Sequence, residues 1–199
     1  MTNGFMQYPP GATPLDPDEM EGLKFSHVTA RGQLDHLEQA NIEQGLLWLK
    51  RQKTTDILTD DYVRQLHKKL FGEVWNWAGT YRLTEKNIGI DPLYIGVELK
   101  KLLDDVRYWT ENGTYEPLEA AARFHHRLVS IHVFPNGNGR HARIMADELL
   151  ERIYQEKPID WLKGEDLQNI GDRRDAYLKA LRTADGGNYD LLMVFVRRN

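Results

Sequence analysis

Apolar residues recur at intervals of three and four along most of the chain, which predicts a helical protein. The first such stretch runs from Gln33 to Arg51. A second helix is predicted to begin at Thr59, because a hydroxyl cap followed by two acidic residues stabilises the positive end of a helix. Later stretches with the same spacing cover residues 99–112, 121–131, 142–153, 172–184 and the last ten.

Two regions depart from this helical pattern. Residues 1–32 are rich in proline and glycine at their start, which predicts an extended N-terminal arm lying over the domain. Residues 83–95 mix β-forming residues with Asn, Gly, Asp and Pro, as a hairpin does. The predicted fold is therefore an all-α helical bundle over 33–199 with a small β-hairpin flap.

The composition narrows the class of function. A hydrophobic content of 41% in 199 residues is enough for one buried core. The formal net charge of -4 gives no basic field, so we expect no direct nucleic-acid binding. The chain has no cysteine, no apolar run of the roughly 20 residues that cross a membrane, and no signal-peptide pattern. These features predict a cytoplasmic protein without membrane contact.

The candidate chemistry lies between the helices predicted over 121–131 and 142–153. Gly137 and Gly139 let backbone N–H groups converge at the start of a helix, which favours an anion-binding loop. Arg140 and Arg143 follow on neighbouring sides of one helical turn, so both can reach a polyphosphate. His132 lies just before the loop and is the candidate base.

Asn136 and Phe134 complete this set. The Asn136 side chain offers a carbonyl oxygen to Mg²⁺, and Phe134 is placed to fix the loop to the core. Each feature alone has an ordinary structural interpretation, such as a turn or a solvated arginine pair. Together they indicate phosphoryl-type transfer, with a nucleophile deprotonated by histidine, a magnesium-bound polyphosphate and fixed positive charge. Without cysteine or a His-Glu-x-x-His pattern, zinc is not expected.

The sequence HVFPNGNGRHAR over residues 132–143 resembles HPFx(D/E)GNGRxxR, the signature of the Fic (Fic/DOC) domain family. Trp77-Ala78-Gly79 together with Arg82 resembles the W-A-G-x-x-R stretch that leads into the family's target-clamping flap. The chain length and the ATPLDPDE stretch near the start most resemble the bacterial subgroup called mobile mystery protein B. The resemblance implies a Fic-type catalytic domain over 33–199, with its flap at about 83–95.

The resemblance also implies an activity, namely transfer of AMP from ATP to a Ser, Thr or Tyr hydroxyl of a target protein. His132 would be the general base and Asn136 would hold Mg²⁺. The glycine-rich loop would form the anion hole, with Arg140 on the β-phosphate side and Arg143 at the γ-phosphate. The nucleotide-binding set implied in this way comprises Phe134, Gly137, Asn138, Gly139, Arg140 and Arg143.

Two departures from the family pattern leave a second hypothesis open. Val133 replaces a proline, and Asn136 replaces an acid whose carboxylate would bind Mg²⁺ more strongly. The chain could then be a weak or inactive nucleotide-binding regulator, or a toxin–antitoxin-like component of a mobile element. In the subgroup, the expected partner is a helix-turn-helix protein of the mobile mystery protein A type. The oligomeric state is left open.

Many Fic proteins carry an inhibitory helix with the pattern (S/T)xxxE(G/N), whose Glu pairs with the second arginine of the signature. The nearest match here runs from Thr29 to Gln33, where a neutral amide replaces the Glu. The competing interpretation is an ordinary threonine cap followed by a solvated glutamine.

Overall fold

The computed structural model of the chain describes residues 12–28, 30–52, 56–162, 167 and 171–197. Within these ranges the regular structure is helical, and the β-type pairing is one antiparallel bridge between Leu23 and Trp75. The helices are α1 (Pro17–Met20), α2 (Arg31–Leu49), α3 (Asp60–Phe71), α4 (Ile95–Asn112), α5 (Pro117–Ile131), α6 (Asn138–Leu149), α7 (Asp172–Asp185) and α8 (Asp190–Val196), with a 3-10 turn at Pro92–Tyr94 and a π-helical turn at Leu150–Tyr154.

Local sequence signals set several helix ends where they were predicted. The Thr59 hydroxyl accepts a hydrogen bond from the Tyr62 amide at 3.2 Å and so caps α3. Helix α4 ends at Gly113, which adopts the left-handed conformation with φ 59°. The predominantly helical class is confirmed.

The core is built around α5, which packs against α4, α6 and α8. Three consecutive alanines, 120 to 122, are fully buried in α5, and small side chains there let the neighbouring helices approach closely. Helix α6 is the next helix after α5, and the two pack against each other, so the loop between them, residues 132–137, is anchored to the core at both ends. This loop carries the candidate site residues.

The hairpin predicted over 83–95 has no paired strands in this part of the structure. Residues 83–91 form an irregular loop, here called the flap, which leads through the 3-10 turn into α4. The reason is the buried Arg82 side chain, whose guanidinium donates hydrogen bonds to the carbonyls of Thr84, at 2.8 Å, and Ile90. It thereby satisfies acceptors that a strand ladder would have paired with backbone amides.

The described part of the arm, residues 12–28, lies against the flap. The Lys86 ammonium forms ion pairs with Asp16, at 2.8 Å, and with Glu19, and only 2% of the lysine side chain is exposed. The Asn87 side chain donates a hydrogen bond to the Ala12 carbonyl at 3.2 Å. The boundary between arm and domain at residues 32 and 33 stays a prediction.

Candidate active site

His132 occupies the C-terminal cap of α5 in a left-handed conformation, with φ 55° and ψ 63°. A side chain other than glycine pays roughly 1 kcal/mol in this region, so the surrounding contacts must hold it there. Arg82 provides such a contact, because its Nε donates a hydrogen bond to the His132 carbonyl at 2.6 Å. The turn aims the imidazole into a cleft instead of along the helix.

The His132 imidazole is buried and neutral. His132 as a whole is 4% exposed, and neither ring nitrogen has a well-formed hydrogen bond to any described residue. Burial and, to a smaller extent, the nearby charges of Arg82 and Lys86 together lower the pKa of His132 to about 3. At neutral pH the ring therefore keeps a free lone pair, as a general base requires.

The loop after His132 is closed by one side chain. The Asn138 amide accepts a hydrogen bond from the Phe134 N–H at 2.9 Å and donates one to the Phe134 carbonyl at 2.7 Å. Phe134 is fully buried and stacks on His67, with ring centroids 3.7 Å apart. It therefore lies in the core beneath the cleft and does not line it.

The two loop glycines face different surroundings. Gly137 has φ 77° and caps α6, and an added Cβ would lie 2.7 Å from the Phe71 ring. At Gly139 an added Cβ would meet nothing closer than 3.8 Å, where Arg143 Nη1 and the Tyr177 hydroxyl lie. The open space thus lies above the second glycine, where the first N–H groups of α6 have no acceptor within the helix.

Arg140 and Arg143 are half-buried in the first turns of α6 and reach different partners. Arg140 Nη1 pairs with Glu38 Oε2 of α2 at 2.6 Å, and the same carboxylate accepts the Trp75 indole N–H at 2.7 Å. Arg143 lies over the Tyr177 ring of α7, with Cζ 5.8 Å from the ring centroid. The two arginines are thus oriented by helices from opposite ends of the chain.

These residues line one open cleft of about 820 Å³, counting the space at its mouth. Most of the predicted site residues meet there, namely His132, Asn136, Gly137, Asn138, Gly139, Arg140 and Arg143. Distant elements add cationic or polar side chains that the sequence did not single out for this site, namely Thr13, Arg31, Arg174 and Tyr177. An apolar stretch is formed by Ile88, Val129, Leu178 and Leu181. A cleft with a cationic and an apolar part suits a nucleotide.

His67 of α3, which no local sequence signal indicated, supports the loop from below. Its Nδ1 accepts a hydrogen bond from the Gly79 N–H at 3.0 Å, so its proton lies on Nε2. That nitrogen therefore donates to the Asn136 carbonyl, also at 3.0 Å. Burial holds the pKa of His67 well below its usual range, which keeps it in this neutral form.

The Asn136 side chain is compatible with a magnesium site but already has partners. Its Oδ1 accepts from the Gly137 N–H at 2.7 Å, and its Nδ2 donates to the Thr13 carbonyl at 3.0 Å. One lone pair of Oδ1 remains for a cation. Among the described ranges no cluster of three His, Cys, Asp or Glu side chains is suited to a metal. These residues are compatible with a magnesium ion that is held mainly by phosphates. The role of Asn136 as a ligand of that ion stays a prediction.

The proposed inhibitory segment is only partly visible, because Thr29 lies outside the described residues. The Gln33 side chain accepts a hydrogen bond from the Ala30 N–H at 3.3 Å, within the first turn of α2. Arg31 of the same turn lines the cleft and bonds Asp35 at 2.8 Å. The inhibitory role of this segment stays a prediction.

Comparison with known proteins finds a family similar to the central part of this chain. Residues 57–150 match the family model described as the Fic/DOC family. The chain is 30% identical over 178 residues to the protein adenylyltransferase Fic of Nematostella vectensis, which aligns 86% of this chain and 39% of that protein. It is 28% identical over 193 residues to the protein adenylyltransferase VbhT of Bartonella schoenbuchensis, aligning 92% of this chain and 38% of VbhT.

The fold has solved counterparts. The BepC protein of Bartonella tribocorum, solved with bound AMPPNP, superposes with a TM-score of 0.68 at 18% identity, covering 95% of this chain and 93% of that one. This likeness concerns the fold. The chain spans about two fifths of the length of the two curated relatives above. In the described ranges, no helix has the length and apolar character needed to span a bilayer.

Proposed function

Residues 57–150 match the model of the Fic/DOC family, and from this premise we propose that the chain transfers AMP from ATP to a hydroxyl side chain of a protein. Relatives that are named protein adenylyltransferases support this activity. The observation that carries the proposal is a neutral, buried His132 in the same cleft as Arg140 and Arg143. A free base next to fixed cations is the arrangement that phosphoryl-type transfer requires.

In the proposed reaction, His132 accepts the proton of the attacking hydroxyl. The hydroxyl oxygen forms a bond to the α-phosphorus of ATP while the bond to the bridging oxygen breaks, and pyrophosphate leaves with the electron pair. Arg140 and Arg143 hold the leaving phosphates, and the N–H groups at the start of α6 stabilise charge on the phosphoryl oxygens. The apolar stretch with Leu178 and Leu181 would receive the base.

Mg²⁺, when bound, would neutralise charge on the phosphates, and Asn136 would contribute a ligand to it. We further propose that the flap pairs with the backbone of a target segment and takes on strand character only then. The sequence resemblance supports a place in the mobile mystery protein B subgroup and a helix-turn-helix partner protein, and the composition supports a cytoplasmic location. Each of these remains part of the proposal.

The experiment that tests the activity is incubation of the protein with ATP labelled in its α-phosphate, Mg²⁺ and a bacterial lysate. We expect label to appear on protein bands, and to be absent with His132→Ala. Label in the γ-position should not transfer, since pyrophosphate leaves. Transfer of γ-label, or equal labelling with His132→Ala, would contradict the proposed reaction.

A second function is favoured by one observation: the Asn136 oxygen that would meet the metal already bonds Gly137, and the residue lacks a charge. If Asn136 cannot hold the metal, the chain would act as a nucleotide-binding regulator with weak or no catalysis. This alternative predicts ATP binding with no label on any protein.

A further inference from the structure

The arm reaches the cleft from the side of the flap, where Ala12 and Thr13 line it. Two consecutive arm carbonyls are held there: that of Ala12 by the flap residue Asn87, and that of Thr13 by the loop residue Asn136. The hydrogen bonds measure 3.2 and 3.0 Å. The arm thus bridges the flap and the anion-binding loop, and it brings residue 13 to the cleft that His132 lines.

Thr13 carries a hydroxyl in this position. The residue is only 8% exposed, so its side chain is enclosed although it belongs to the arm. Of the described residues lining the cleft, two have hydroxyls, Thr13 and Tyr177. The Tyr177 hydroxyl bonds His125 Nε2 at 3.0 Å, and burial raises its pKa, which disfavours it as a nucleophile.

The base of the site is also without a described partner. Both nitrogens of His132 are buried and lack a well-formed hydrogen bond within the described ranges. A buried polar atom without a partner costs free energy, so this site favours the arrival of a group that donates a hydrogen bond to the imidazole. A hydroxyl in the same cleft supplies such a donor once it moves into reach. Lys86, paired with Asp16 and Glu19, keeps the arm in place while this happens.

We propose that Thr13 is a self-modification site, at which the chain transfers AMP to its own arm. This rests on the proposed adenylyl transfer. His132 takes the proton from Thr13 Oγ1, the oxygen forms a bond to the α-phosphorus of ATP, and the bond to the bridging oxygen breaks to release pyrophosphate. The product is an O-AMP threonine in the arm, and the proton leaves His132 to solvent.

This assignment has a consequence for other targets. A protein substrate needs the same approach to His132 that the arm occupies, so the arm must withdraw before an external hydroxyl can react. Attachment of AMP at Thr13 adds a bulky anion to a residue that is enclosed between flap and loop, which would force the arm away. Self-modification would then precede labelling of other proteins.

The test is mass spectrometry of the full chain after incubation with ATP and Mg²⁺, with fragmentation to locate the AMP group. We expect it on Thr13, with an apparent first-order rate that does not change on dilution of the protein. Thr13→Val, which keeps the backbone carbonyl bonded to Asn136, should lose the label to the background of His132→Ala. Thr13→Ser should retain it, and the exposed Thr114→Val should label like the unaltered chain.

Several outcomes would overturn the assignment. AMP on Thr2 or Tyr8 instead of Thr13, or full labelling of Thr13→Val, would show that another hydroxyl is the acceptor. Labelling of His132→Ala by added unaltered protein would show that transfer passes between molecules. If lysate proteins are labelled but Thr13 is not, this inference fails and the proposed function stands; if nothing is labelled, the proposed function fails as well.

Discussion

The two sides of the cleft are assembled in different ways. The phosphate side comes largely from the consecutive residues 132–143, and its closing contact joins Asn138 to Phe134 only four positions away. The target side is made by the arm and the flap, whose ion pair joins Asp16 to Lys86 across 70 positions. A side built from neighbours in sequence forms with the local fold, whereas one built from distant segments depends on their docking.

The two sides also differ in charge. On the phosphate side Arg140 and Arg143 project toward a cleft that an anion can fill. On the target side Lys86 is neutralised within the chain, and its hydrogen bond lowers the pKa of Asp16. On the phosphate side Glu38 already balances Arg140, but both arginines still line open space that a charged ligand can fill, whereas the target side is closed by the arm. Nucleotide binding and target access can therefore change independently.

The largest expected effect separates base from phosphate binding. His132→Ala should lower transfer by ~10²–10⁴-fold with ATP affinity nearly unchanged, because the imidazole acts on the hydroxyl and touches no phosphate. Arg143→Ala should instead weaken ATP binding by about 10- to 100-fold, as expected for losing charged hydrogen bonds worth ~1.5–3 kcal/mol. Calorimetric titration with a non-hydrolysable ATP analogue, alongside label transfer, measures both. Equal loss of affinity in the two variants would remove the distinction.

The next effect concerns how the phosphate side is held. Glu38→Gln removes the carboxylate that pairs with the Arg140 guanidinium. The new amide N–H₂ group also faces a site where Arg140 and the Trp75 indole both donate hydrogen bonds. The free energy of unfolding should therefore fall by about 3 kcal/mol. Addition of ATP should restore part of the loss, because phosphates replace the missing negative charge. Chemical denaturation with and without ATP is the measurement. The exposed Glu43→Gln on the same helix is the control and should change neither value.

The sequence predicted the elements whose causes are local. Apolar spacing, the Thr59 cap and Gly113 placed the helices, and the glycine and arginine positions indicated an anion-binding loop that the structure forms at the start of α6. Glu38 and His67 could not be found in this way, since each acts through partners that only tertiary packing brings near. The hairpin predicted for the flap has no paired strands in the described residues: the flap residues suit strands, but the carbonyls of Thr84 and Ile90 are bonded by one buried arginine.

A smaller effect tests whether arm and flap keep His132 neutral. Lys86→Met removes a cation that lowers the pKa of His132 and loosens the cover that buries the ring, so this pKa should rise from about 3 toward the ordinary 6.5. A protonated ring accepts no proton, so transfer by the variant should decline as pH falls through 6.5, while the unaltered chain keeps its rate. NMR titration of the imidazole measures the pKa. Lys101→Met, on the exposed face of α4, is the control. If the His132 titration curves of the Lys86→Met and unaltered chains superimpose, the arm contact does not set the pKa of His132.

The smallest effect lies at Asn136, where the two sides meet, because its Oδ1 bonds the loop and its Nδ2 bonds the arm. Asn136→Asp supplies a charged oxygen to Mg²⁺, so the magnesium concentration for half-maximal transfer should fall, by a few-fold, since phosphates carry most of the ion. The same change removes the donor to Thr13 and places a carboxylate against its carbonyl, which should loosen the arm. Asn136→Ala removes the oxygen and the donor together, so it should need more magnesium. A magnesium titration of label transfer at fixed ATP compares the three chains, and three superimposable curves would show that residue 136 does not contact the metal.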